Sequence, residues 1–141
     1  MSSDIGIAPD PAAVVFRHMQ RLYPQDYHDM LHLHALPDGY NCHTDGLAIV
    51  VDDDISQVDE SSYSRDLVQI NVFGPDRALV SKTGRVLYAA LTQGASGIGL
   101  GVSRSKSKFF GVGPSYQPTG FVSTMSISVG IGKVLATFRK Q

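Results

Sequence analysis

Five residues in one stretch, His28, His32, His34, Cys42 and His43, are of types that could bind a metal. On a helix His28 and His32, four apart, would share a face. The pair lacks the intervening glutamate of a zinc protease, and the set lacks the two cleanly spaced ligand pairs of a closed zinc site. If residues 31–35 form a strand, the shared face disappears as well. A surface or packing role is the expectation for these histidines, and no metal or other cofactor is expected. Asp52, Asp53 and Asp54 offer three carboxylates. Consecutive residues of an extended chain alternate in direction, so at most two of them share a face. The spacing of a calcium loop does not follow them, and a solvated strand end is the better reading.

Nucleophile chemistry finds no better footing. Cys42 has His43 beside it but no strand–turn–helix elbow to expose it, and Ser96 and Ser103 lie outside any G-x-S-x-G context. Gly94, Gly97, Gly99 and Gly101 follow a helical stretch and lead into a strand. A phosphate-binding loop needs the opposite order. The sequence therefore reads as no enzyme, with no catalytic residue. A basic row is more suggestive: Arg104, Lys106 and Lys108 alternate with serines. On a strand all three would project from one face and could meet acidic side chains or phosphate. Lysines that keep an edge strand from aggregating would look the same. No aromatic interleave of a nucleic-acid stacking platform accompanies them.

Periodicity indicates which elements hold these groups. Asp10 suits a helix cap and Pro11 a first helical position. Val14, Val15, His18, Met19 and Leu22 fall on one helical face and Pro24 stops the run, which predicts a helix over residues 11–23. Leu31, Leu33 and Ala35 alternate with His32 and His34, so a short strand is expected, ended by Pro37-Asp38-Gly39. Leu47–Val51 is an apolar, β-branched run of strand length. Residues 55–64 are polar and read as a mobile hairpin loop. In Arg65–Phe73, Val68, Ile70 and Val72 oppose Gln69 and Asn71, as in a half-buried strand. Gly74-Pro75-Asp76 then turns the chain into a helix with Leu79, Val80, Thr83, Val86, Leu87, Ala90 and Leu91 on one stripe and Gly94 at its end. Gly84, inside that helix, marks a close backbone approach. Ile98–Val102 is a further strand, Gly113-Pro114 a turn that continues to Gly120, and Phe121–Ile131 a last alternating strand. This order predicts an α+β fold, a mixed, mostly antiparallel sheet of about four to five strands with two helices packed on one face.

Composition narrows the class. A chain of 141 residues fits one domain, 1–141, with 1–9 as a flexible N-terminal arm. Hydrophobic residues at 43% exclude a disordered protein. Charged residues at 18% are fewer than usual for a free monomer, which points to a surface partly covered by a partner. A net charge of −1 gives no overall pull towards nucleic acid or anionic membranes. Cys42, the only cysteine, excludes an internal disulfide and suits a reducing compartment. Residues 1–10 lack the pattern of a signal peptide, and no apolar run approaches the ~18–20 residues of a membrane span. A soluble chain made inside the cell, with no membrane partner, is expected.

The order of elements resembles the tail terminator proteins of long-tailed bacteriophages, also called tail completion or tail-to-head joining proteins. An N-terminal amphipathic helix (Pro11–Tyr23) precedes a short strand ending in Leu36-Pro37. An apolar strand running into acidic residues (Leu47–Asp54) precedes a polar hairpin. Arg65-Asp66 then opens the strand that meets a helix at Gly74-Pro75-Asp76-Arg77, and a strand, a Gly113-Pro114 loop and a final strand (Phe121–Ile131) finish the chain. The resemblance covers most of the chain and rests on this order and on loose local patterns. The histidine cluster and the many serines depart from it.

The resemblance implies a small subunit that assembles into a hexameric ring on the head-proximal end of the tail tube. There it would end tube polymerisation and offer a surface to the head. The implied partners are further copies of the chain, the tail tube protein and the head–tail connector protein, with DNA passing through the ring without sequence-specific binding. The implied location is the virion, after assembly in the host cytoplasm. In such a ring, Arg104, Lys106 and Lys108 are expected to lie opposite Asp52, Asp53 and Asp54 of a neighbour, with Asp59 and Glu60 of the polar hairpin also at contacts. Three rival readings are a head-closure or connector subunit, a monomeric cytosolic protein binding a ligand between helix and sheet, and a hydrolase using Cys42 and His43.

Overall fold

The computed structural model describes residues 2–7, 10–53, 58–59, 64–94, 100–116, 118–131 and 134–139. Its elements in chain order are β1 (Ser2–Ile7), α1 (Pro11–Leu22), a 3-10 turn (Gln25–Met30), β2 (Leu31–Leu33), α2 (Cys42–Asp45), β3 (Ala48–Asp53), β4 (Val58–Asp59), β5 (Ser64–Gly74), α3 (Arg77–Gly94), β6 (Leu100–Tyr116), β7 (Thr119–Ile131) and β8 (Val134–Arg139). The main sheet runs β2-β3-β5-β7-β6, with β4 paired to one end of β5. Among the described residues only β2 and β3 are parallel, and the other pairs are antiparallel. The fold is α+β, as the order of elements predicts.

Alternation decides which face of this sheet is covered. Val51, Ile70 and Met125 stand opposite one another on β3, β5 and β7, and so do Ile49, Val72 and Ser123. Cross-strand partners share a face, so these rows form one apolar surface. The surface meets Ala12, Val15 and Met19 of α1 and Val80, Leu87 and Leu91 of α3, all at most 1% exposed. The other face carries Gln69, Asn71, Thr124 and Ser126, which stay half-buried. One stripe per helix and one face each of β5 and β7 account for most of the core, while β3 is buried on both faces from Ala48 to Val51.

Gly84 of α3 is the close approach that its position inside a helix suggests. A Cβ there would press on the Ser123 hydroxyl and lie 3.0 Å from the Phe109 ring and 3.2 Å from the Ser123 Cβ. Alanine would gain helix propensity of about 1 kcal/mol but overpack a filled contact, a change that typically costs 1–3 kcal/mol. Gly84→Ala is expected to lower stability by about 1 kcal/mol in urea unfolding, with partial recovery in Gly84→Ala/Ser123→Ala.

Four expectations are corrected. Residues 2–7 are not a free arm: they form β1, paired antiparallel with β8 from Ser2↔Arg139 to Ile7↔Val134. The partner lies at the far end of the chain, so local reading of either segment missed it. Gly113-Pro114 is not a turn but the interior of β6, where Pro114 opposes Phe121. Proline is tolerated there because β6 is an edge strand. Asp10 makes no side-chain cap bond to α1. The premise that Arg104, Lys106 and Lys108 alternate regularly also fails. Ser103 opposes Ser128 and Lys108 opposes Ser126, so five steps on β6 match two on β7. Ser107 stabilises this bulge: its hydroxyl donates to the Ser103 carbonyl at 2.6 Å and accepts from the Ser128 N–H at 3.0 Å.

Of the polar hairpin, only β4 is described, with Val58 opposite Arg65 and Asp59 opposite Ser64. Residues 54–57 and 60–63, including Asp54 and Glu60, lie outside the described residues, as do the side chains of Asp59 and Arg104.

Candidate functional site

The end of β3 gathers charged groups that are distant in sequence. β2 pairs with β3 for three residues, and His34 then turns away with φ 74. Its N–H donates to the Val51 carbonyl at 2.8 Å, which fixes the ring beside the strand end. His34 Nδ1 lies 3.0 Å from Asp52 Oδ1, and Nε2 lies 3.9 Å from Asp10 Oδ2. Asp53 completes the group, its carboxylate accepting the Ala12 N–H at the start of α1, where Asp10 supplies no cap. The hydrogen bond to Asp52, aided by the nearby carboxylates of Asp10, Asp52 and Asp53, raises the pKa of His34 above its ordinary value. Desolvation first, then Asp10, raises that of Asp53.

One atom each from His34, Asp52 and Asp53 lies within 4.8 Å of the others, a donor set of the kind a divalent cation accepts. His34 Nδ1 is already engaged by Asp52, and Asp53 by the α1 backbone, so the group forms an ion-paired acidic corner with three carboxylates to one imidazole.

A second acidic feature flanks the other end of β2. A cleft of about 450 Å³ is lined by Asp26, Asp29, Asp38 and Asp45, with the rings of Tyr27 and Tyr40. The Tyr40 hydroxyl donates to the Gly46 carbonyl, and burial, with Cys42 and Asp45 nearby, pushes its pKa up to about 12. Four carboxylates and two aromatic rings favour a cation there and repel an anion.

The other histidines have packing roles or stand apart. His28 Nε2 lies 2.7 Å from the Gln20 carbonyl oxygen and 2.9 Å from that of Tyr23. Carbonyls only accept, so this nitrogen carries the proton and closes the last turn of α1. His28 sits in a 3-10 turn and His32 in β2, so no helical pair exists. His43 is exposed. Cys42 is buried and its thiol donates to the Thr119 carbonyl at 3.0 Å, a structural bond between α2 and β7.

His18 is 7% exposed on α1, and neither ring nitrogen has a hydrogen-bond partner among the described groups. Desolvation, then the Arg21 charge, lowers its pKa, and burial lowers that of His32. The two directions act oppositely on stability. The His34 contribution is complete below pH ~6.5 and is lost as pH rises through its raised folded value. Below pH ~6.5 the unfolded chain protonates His18 and His32 before the folded one does, so stability falls towards their lowered values. Histidine ring signals followed by NMR are expected to titrate above the ordinary histidine value for His34 and below it for His18 and His32. The reverse order would contradict both environments.

The basic residues lie at the opposite border of the sheet. Lys106 and Lys108 are exposed on β6, and neither has a carboxylate partner among the described residues. Phe110 and Tyr116 on the same strand are 63% and 83% exposed. The structure thus brings Asp52 and Asp53 together with His34 and Asp10, and keeps Lys106 and Lys108 away from them. The partners His34 and Asp10 were missed as a group. Only the parallel β2–β3 pairing, which no local spacing encodes, joins them. Comparison with family models, with curated proteins and with solved structures returns no match.

Proposed function

We propose that this chain is a structural subunit that assembles as a ring on a phage tail tube, ends its polymerisation and presents a surface for joining the head. The observation that supports the reading is β6. It runs for 17 residues along the sheet border, nothing among the described residues pairs with its outer side, and Phe110 and Tyr116 stand out from it. A long edge with exposed aromatic residues invites a partner strand or surface. A subunit built to contact copies of itself and a polymer end supplies such a partner, and its work is binding geometry.

The test is polymerisation of tail tube protein from the same genome with and without this chain. Added protein is expected to arrest growth at substoichiometric ratio and leave shorter tubes. Unchanged tube length would contradict the reading. A head-closure subunit would leave tubes unchanged and bind the connector instead.

The acidic cleft favours a second reading, binding of a small organic cation. The cleft that supports it lies beside β2 and not between helix and sheet, where the described side chains form one buried cluster. In this reading a polyamine should raise the melting temperature and Asp38→Asn should abolish the shift; no shift with spermidine would remove it.

A further inference from the structure

The acidic corner and the basic border lie on one line of the sheet. Asp52 opposes Gln69, Gln69 opposes Ser126, and Ser126 opposes Lys108. Partners share a face, so Asp52 and Lys108 sit on the same side, separated by three strand spacings. At about 4.8 Å each that is roughly 14 Å, far too long for an ion pair and beyond the ~8 Å screening length at physiological salt. Within one chain neither charge neutralises the other.

We propose that the β6 border of one copy docks on the β2–β3 border of a second copy, head to tail. Lys106 and Lys108 then meet Asp52 and Asp10, and Phe110 sits against the neighbouring strand end. Strand direction agrees: β6 is antiparallel to β7, β7 to β5 and β5 to β3, and β2 is parallel to β3. A copy placed beside the sheet and turned to follow its twist therefore presents β6 antiparallel to β2. Level agrees as well, because a turn about the line across the strands keeps Lys108 at the height of Asp52. His34 leaves β2 after three residues with φ 74, so a main-chain ladder is short and the charges with Phe110 provide most of the contact. Two different borders meet at each junction, so the contact is heterologous and closes only by rotation into a ring. The proposal rests on the ring reading for the identity of the neighbour, and names the surfaces that join.

A charge swap between two variants tests it. The first is Lys106→Glu/Lys108→Glu; the second is Asp10→Lys/Asp52→Lys, which leaves Asp53 in place because its carboxylate holds the start of α1. Each variant alone sets like charges against each other, and self-association measured by analytical ultracentrifugation at low salt is expected to weaken at least about tenfold. Mixed in equal amounts, every junction between unlike variants is complementary again, and association is expected to return to within about threefold of the wild type. Wild-type association should also fall steeply with added salt, a measurement that needs no variant.

Variants that associate like the wild type, a mixture that does not recover, or a wild type that stays monomeric at low salt would each overturn the proposal. The tube-length experiment separates this from the ring reading. Shortened tubes with insensitive variants would leave the ring and move its contact elsewhere.

Discussion

Gly120→Ala should destabilise the protein by about 3 kcal/mol or more, a large share of the roughly 5–15 kcal/mol that holds a typical domain folded. Gly120 has φ +147, a conformation that residues with a side chain rarely adopt. A Cβ there would also lie 2.7 Å from Cys42 Sγ and 2.8 Å from the Gly74 carbonyl oxygen. Neither obstacle moves easily. Gly74 is the last residue of β5 and pairs with Phe121, while Cys42 is tied to Thr119. Gly120→Ala/Cys42→Ala removes one obstacle and should recover only part of the loss. Cys42→Ser can keep a hydroxyl donor for Thr119 and should stay within about 1 kcal/mol of the wild type. Urea unfolding followed by circular dichroism measures all three. A Gly120→Ala protein as stable as the wild type would contradict both the backbone conformation at Gly120 and its close approach to Gly74 and Cys42.

Ile70→Ala is expected to cost about 3–5 kcal/mol. Ile70 is 0% exposed at the middle of β5, flanked by Val51 and Met125, in the cluster that α1 and α3 cover. Both neighbouring strands hold their positions through main-chain pairing, so the vacated space cannot collapse fully and the cavity cost adds to the lost transfer energy. Gln69→Ala, one residue away on the opposite face, should change stability by less than about 1 kcal/mol. Equal losses at the two positions would mean that both faces are covered. The contrast therefore tests whether the helices cover only one face of β5.

Much of that architecture was legible in local pattern. Val68, Ile70 and Val72 set against Gln69 and Asn71 identify both β5 and its buried face, and the stripe from Leu79 to Leu91 identifies α3. Gly84 was readable because a glycine inside an otherwise good helix has few other reasons to be there. What escaped depends on distant pairing. β1 is short and polar enough to pass for a loop, and β8, though apolar, is too short to show its partner, until the two are set side by side. The four-residue helix at Cys42 carries no periodicity, being about one turn.

The charged groups show the same division. Asp52–Asp53 and Lys106–Lys108 stood out by type, but alternation alone put the basic residues in one regular row. The bulge held by Ser107 breaks that row. His34 joined the acidic residues only through the parallel β2–β3 pairing, which brings together residues about 18 apart in the chain. Periodicity thus locates strands and helices, while the grouping of charges is decided by which strands become neighbours.

Electron microscopy of the purified protein, alone and mixed with tail tubes, tests the ring-forming role most directly. Closed rings of one size, or tubes carrying a distinct cap at one end, are the expected images. Dispersed single subunits in both samples, with tube ends bare, would contradict the account.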